Sequence, residues 1–164
     1  MTVFSTHIHI PAPAALAWDI LANNVQAWPD WTQSMTSIRA LDPGPMRNGA
    51  RFVVKQPKLP EAVMTVVDWE PTSRFSWRSE GRLLWAMADH AITPVEDKGC
   101  TLVLRLKFHG PLSGIAGRWM ASLVQRYLQM EAEGLRAECV RQSAGQPRPN
   151  QHPASETENA QVSA

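Results

Sequence analysis

His90, Glu131, Glu138 and Tyr127 are the residues of this chain whose types and positions allow chemistry. His90 shares strand parity with Ala88 and Ile92, so an unbulged strand turns its imidazole inward with them. An inward imidazole can serve as acid or base near neutral pH, or hydrogen-bond a ligand carbonyl. It can equally be a histidine hydrogen-bonded within a core or sitting at a sheet's rim. Glu131 and Glu138 project within the apolar arc of a long terminal helix. A carboxylate desolvated there would have its pKa raised and could act as a general base. The alternative is pairing with an arginine or lysine, or exposure past the sheet's edge, because a buried unpaired charge is costly. Tyr127 falls on the same stripe, where its hydroxyl needs a partner. Asp68, just before Trp69 and a turn, reads as a solvated strand end. His7 and His9 share a strand face, but no third ligand accompanies them, so no metal site is expected. No Gly-rich phosphate loop, nucleophile elbow or HExxH is present, and no cofactor is expected.

The elements that must position these groups follow from periodicity. Val3 to Ile10 alternates, with Phe4, Ile8 and Ile10 on one face. Pro11 stops that strand, and Pro13 suits the first turn of a helix carrying Leu16, Ile20 and Leu21. Asn23-Asn24 ends the helix, and Trp28-Pro29-Asp30-Trp31 predicts a second short helix or tight turn. Strands are then expected at Met35–Leu41, Gly49–Gln56, Val63–Trp69, Arg74–Arg78, Leu83–Thr93 and Thr101–His109, separated by short turns such as Asp42-Pro43-Gly44-Pro45. That spacing means an antiparallel meander. After Gly110-Pro111, Ser113 is the expected cap of a single helix running to about Val140. Ala116, Trp119, Met120, Leu123, Val124, Tyr127 and Met130 would form its sheet-facing stripe. From Arg141 the chain is rich in Pro and polar residues and lacks aromatics, so 141–164 reads as a disordered tail and 1–140 as one domain.

The chain has 164 residues, 44 % hydrophobic and 19 % charged, with a formal net charge of +1, which fits one soluble globular domain. The near-neutral balance argues against a non-specific nucleic-acid or anionic-membrane binder, which would normally show a basic excess or a basic cluster. Cys100 and Cys139 show no metal-ligand spacing, and a reducing cytoplasmic setting without disulfides is expected. No signal peptide is readable, and no apolar run approaches the roughly 20 residues that span a bilayer.

Several short segments, taken in order, resemble one family. They are Ile10-Pro11-Ala12-Pro13, Ala17-Trp18-Asp19-Ile20-Leu21, Trp28-Pro29-Asp30-Trp31, Gly49-Ala50-Arg51-Phe52, Trp69-Glu70-Pro71, Arg74-Phe75-Ser76-Trp77, His90-Ala91-Ile92-Thr93-Pro94, Gly110-Pro111-Leu112 and Glu131-Ala132-Glu133-Gly134-Leu135. Together they resemble the polyketide cyclase/dehydrase-like branch of the SRPBCC superfamily, over roughly residues 3–140. The resemblance implies an α+β helix-grip fold: a curved antiparallel sheet of about seven strands around a long C-terminal helix, with two short helices after the first strand. It also implies a hydrophobic pocket between sheet and helix, binding a small apolar or aromatic molecule.

In such a grip the expected liners are Phe52, Val54, Met64, Val66, Phe75, Trp77, Ala88, Ile92, Leu104, Leu123 and Tyr127, with Trp31 and Trp28 near the mouth. Gln56, Tyr127 and Glu131 would supply hydrogen bonds, although Gln56 can also simply end its strand. His90 would be the acid/base of an aldol-type cyclisation or dehydration if the protein is an enzyme. The alternatives are a non-catalytic carrier or sensor of hydrophobic ligands, and a protein-interaction module of the chaperone-activating kind. The expected partner is a small hydrophobic ligand, with no nucleic acid and no stable membrane insertion, on a monomer or homodimer.

Overall fold

The computed structural model describes residues 3–97 and 99–145. Seven strands form one antiparallel sheet: β1 (Val3–Ile10), β2 (Ser37–Ala40), β3 (Arg51–Lys55), β4 (Ala62–Glu70), β5 (Arg74–Ser79), β6 (Trp85–Val95) and β7 (Gly99–His109). Their spatial order is β1-β7-β6-β5-β4-β3-β2. The meander expected from the short turns runs from β2 to β7, and β1 returns to pair with the last strand from Val3↔Lys107 to Ile10↔Cys100. A bulge between Val66 and Asp68 breaks the β4–β5 register. Bulges bend a strand and increase its twist, so this one helps the sheet curl around what it covers.

Between β1 and β2 the chain makes α1 (Ala14–Trp18), which runs on into a π turn over Asp19–Asn23, and then a 3₁₀ helix over Val25–Asp30. Pro13 is the residue at which α1 begins, where the missing N–H costs nothing. Trp18 is core, its ring 5.3 Å from that of Trp69 and 6.2 Å from that of Phe75.

The terminal helix differs from the sequence expectation. It is two helices, α2 (Ser113–Trp119) and α3 (Ala121–Ser143), meeting at Met120. Ser113 makes no capping hydrogen bond; Leu112 occupies the cap position. Two glycines, Gly114 and Gly117, weaken α2 as a helix and let it end early. The break shifts the helical phase, so Trp119 points to solvent instead of the sheet. The buried stripe of α3 is Val124, Tyr127, Leu128, Glu131, Ala132, Leu135, Glu138 and Cys139, at spacings of three and four. Its 23 residues span about 34 Å, enough to cross the sheet. The helix continues past Val140 to Ser143, and residues 146–164, most of the segment read as a tail, lie outside the described residues.

α3 lies very close to the 3₁₀ helix because Gly134 has no side chain. A Cβ there would sit 2.4 Å from the Trp31 carbonyl oxygen. Helix propensity alone makes Gly134→Ala stabilising by about 1 kcal/mol. The backbone clash reverses the sign, and the expected result is a loss of about 1–3 kcal/mol in chemical denaturation.

Both cysteines are free and fully buried. Burial pushes the Cys100 thiol up, and pushes Cys139 from 9.0 up to about 12. A folded-state pKa above the unfolded one gives stability that is complete below the unfolded value and is lost as pH rises through the folded one. The melting temperature should therefore fall between pH 9.0 and about 12, and the fall should be shallower in Cys139→Ala.

Candidate functional site

The inward face of β6 is Ala86, Ala88, His90 and Ile92, the parity expected from the sequence. His90 is buried in a box of aromatic rings. Phe75 stacks on it at 4.4 Å and 7°, Trp77 meets it edge-on at 5.6 Å and 90°, and Trp28 tilts against it at 5.5 Å. The Trp28 indole N–H is spent on the Leu21 carbonyl at 2.8 Å, which fixes that wall. From the other side, α3 brings Glu131 across: its Oε1 lies 3.0 Å from His90 Nε2. Both side chains are more than nine-tenths buried. The contact is close but not aligned as a hydrogen bond, and His90 Nδ1 has no hydrogen-bond partner among the described residues.

His90 and Glu131 stand at the inner end of a cavity of about 230 Å³ between the sheet and α3. Its walls include Val54, Met64, Trp77, Ala88, Leu104, Val124 and Leu128, all buried. The more exposed wall residues are Leu59, Pro60, Ala62, Ala86 and Met120, and they mark the outer end. Apart from Arg105, which is exposed at the cavity's border, the other polar side chains on the wall are already engaged. Gln56 donates its amide to the Ser34 carbonyl at 3.2 Å, and the Ser79 hydroxyl accepts the Ala86 N–H at 2.8 Å. The Tyr127 hydroxyl donates to the Pro57 carbonyl and ties α3 to the loop after β3. Asp89 also borders the cavity, but its carboxylate is held by Ser76 and Lys107. On the buried part of the wall, a ligand would therefore find its polar partners at the His90–Glu131 pair.

Of the residues singled out from the sequence, the structure brings Val54, Gln56, Met64, Trp77, Ala88, His90, Leu104, Tyr127 and Glu131 to this cavity. Trp31, Phe52, Val66, Phe75, Ile92 and Leu123 do not line it. Phe75 is stacked behind His90, Phe52 packs behind Trp77 at 6.2 Å, and Trp31 packs on Trp28 at 5.4 Å. Val66 and Ile92 are core. Leu123 is only half-buried, and Val124 takes its place on the wall.

Trp28, placed near the mouth by sequence reasoning, is fully buried at the inner end. Among the wall residues that reasoning missed, Ala86, Leu106 and Phe108 were readable from strand parity with Ala88 and Leu104, whereas Leu59 and Pro60 come from a loop without a period. Glu138 resolves as pairing: it accepts from Arg141 at 2.6 and 2.8 Å and from Gln142 at 2.8 Å. The hydrogen bond to Glu138 raises the Arg141 pKa. Among the described residues no group of three or more His, Cys, Asp or Glu side chains is placed to hold a metal ion.

The geometry agrees with what the chain is similar to. A family model described as polyketide cyclase / dehydrase and lipid transport matches residues 1–140. Comparison with curated proteins gives no match. Among solved structures, a hypothetical protein from Helicobacter pylori is similar with a TM-score of 0.73 at 12% identity, covering 84% of this chain and 88% of that one. The ZhuI aromatase/cyclase from a Streptomyces species gives 0.69 at 17% identity, covering 89% and 99%. Ara h 8.0201 gives 0.67 at 12% identity, covering 85% and 97%. At these identities the likeness concerns the fold, a helix-grip arrangement. No helix among the described residues is long and apolar enough to cross a membrane.

Proposed function

We propose that this chain, which belongs to the polyketide cyclase / dehydrase and lipid transport family, binds a small, mostly apolar or aromatic molecule between its sheet and α3 and acts on it through His90. The observation that carries this reading is the buried His90–Glu131 contact of 3.0 Å at the inner end of a mostly apolar cavity. A carboxylate beside Nε2 favours the tautomer with its proton on that nitrogen. Nδ1 is then a buried acceptor with no hydrogen-bond partner among the described residues, and in this reading it is the atom that meets the ligand.

That arrangement suits dehydration of a β-hydroxy ketone. Nδ1 takes the proton from the carbon beside the carbonyl, and the electrons of the broken C–H bond form a C=C bond as the C–O bond of the hydroxyl breaks. The departing oxygen recovers the proton from the imidazolium and leaves as water, while Glu131 stabilises the transient positive charge. An aldol-type ring closure needs the same proton transfers. The cavity, at about 230 Å³, falls below the usual range of roughly 300–1,000 Å³, so it suits one or two fused rings. The carboxylate on its inner wall disfavours an anionic group there.

The probe is 3-hydroxy-1-tetralone, a bicyclic β-hydroxy ketone whose dehydration product tautomerises to 1-naphthol. Saturable formation of 1-naphthol above the buffer rate is the expected result. A protein that binds the tetralone and returns it unaltered would instead be a carrier of the same kind of ligand, and the catalytic assignment of His90 would fall.

A further inference from the structure

Helix α2 is amphipathic in the reverse of the usual sense. Its small residues, Ala116 and Gly117, are buried against the body of the domain, and its large apolar residues face water. Ile115 is 62% exposed and Trp119, one turn later on the same face, 83%. Leu112 (42%) precedes them, and Leu83 (61%) from the β5–β6 loop lies beside them. The loop is held there by the backbone, with Leu112 N–H donating to the Leu83 carbonyl at 3.1 Å. Gly110, at φ +95, makes that approach feasible, since a Cβ would fall 2.5 Å from the Leu83 oxygen. A helix packed for folding alone would turn a tryptophan and an isoleucine inward. A contiguous exposed apolar patch of this kind marks an interaction surface.

Two further observations identify what the surface meets. Arg82 and Arg118 adjoin Leu83 and Trp119 in sequence and are exposed, and neither is ion-paired among the described residues. Trp, Ile and Leu side by side with unpaired arginines match the apolar boundary and phosphates of a lipid headgroup layer. The patch also adjoins the cavity wall along the chain: Met120, next to Trp119, and Ala86, three residues after Leu83, both line the cavity.

We propose that the surface formed by Leu83, Leu112, Ile115 and Trp119 docks on a bilayer containing anionic phospholipid, with Arg82 and Arg118 over the phosphates and the cavity opening towards the membrane. This places the protein on the membrane surface, no helix among the described residues being long and apolar enough to span it, and lets a hydrophobic ligand pass between bilayer and cavity. It does not depend on whether His90 is catalytic.

The test is flotation of the full chain with vesicles of phosphatidylcholine and phosphatidylglycerol. The wild type should float with the vesicles, less so in high salt, and its tryptophan emission should shift to the blue. The double variant Ile115→Ser/Trp119→Ser should weaken partitioning by about tenfold or more, the equivalent of about 1.4 kcal/mol. Arg118→Glu should weaken it on the anionic vesicles and leave the weak binding to pure phosphatidylcholine unchanged. All three side chains are exposed, so thermal melting of the variants should match the wild type. Failure of the wild type to bind vesicles, or equal binding by the double variant, would overturn the proposal. So would a wild-type dimer in sedimentation that the double variant converts to monomer, since the patch would then be a contact between copies of this chain.

Discussion

His90→Gln should reduce the dehydration of 3-hydroxy-1-tetralone by about 10²–10⁴-fold, the usual contribution of a positioned acid/base, with little change in affinity for the probe. Glutamine is the informative replacement. It can still offer an N–H to Glu131, whereas His90→Ala strands a buried carboxylate 3.0 Å from nothing, a change that can cost about 3–5 kcal/mol of stability. Loss of turnover in a variant that melts like the wild type therefore isolates the chemistry from the fold.

Glu131→Gln removes the charge but keeps the shape, and should lower turnover by a smaller factor, because Glu131 orients the imidazole and steadies its charged form and does not itself take the proton. If the two residues act as a unit, the double variant His90→Gln/Glu131→Gln should be no slower than His90→Gln alone. Additive losses would mean that the two side chains act separately, and an active His90→Gln enzyme would remove His90 from the mechanism.

Trp28→Ala should be the most damaging single change to stability. Trp28 is fully buried, and its ring packs on Trp31, Trp77 and His90 at 5.4–5.5 Å. Its indole N–H also holds the Leu21 carbonyl. Truncating a buried tryptophan leaves a cavity, and the expected cost is about 3–5 kcal/mol, which lowers the melting temperature by about 10 °C or more in a domain of this size. Trp28→Phe keeps most of the ring contact and should lose less. The two effects are separable by calorimetry and urea denaturation. A loss within about 0.5 kcal/mol, the ordinary range for a surface change, would show that Trp28 does not close the inner end of the cavity.

Much of this was legible from local pattern. Alternation in residues 85–109 fixes which side of β6 and β7 faces in, and so places His90 and Leu104 on the interior face without any tertiary information. The Glu131 carboxylate was legible as an anomaly on an apolar arc, but its partner was not. That pairing depends on how α3 crosses the sheet, and the close approach at Gly134 sets that crossing.

Trp119 was misplaced for a local reason. The 100° pattern runs without interruption through Met120, and nothing in it signals that α2 stops and α3 restarts with a new phase. Trp28 was misplaced for a non-local one. Its depth comes from the 3₁₀ helix folding over the end of a curved sheet, a geometry to which the bulge at Val66/Asp68 contributes. Loop residues such as Leu59 and Pro60 carry no periodicity at all, so their place on the wall could come only from the structure.

The central claim, that a small aromatic ligand occupies the space beside His90, is tested most directly by an NMR titration of the labelled protein with 1-naphthol, following the indole and imidazole signals. Trp77 and Trp28 line the cavity with His90, whereas Trp18 is in the core beyond it and Trp119 is on the surface. The account predicts saturable shifts of the Trp28, Trp77 and His90 resonances at one ligand per chain, with Trp18 and Trp119 unmoved. Shifts confined to Trp119, or no saturable shift at Trp28, Trp77 and His90, would contradict it.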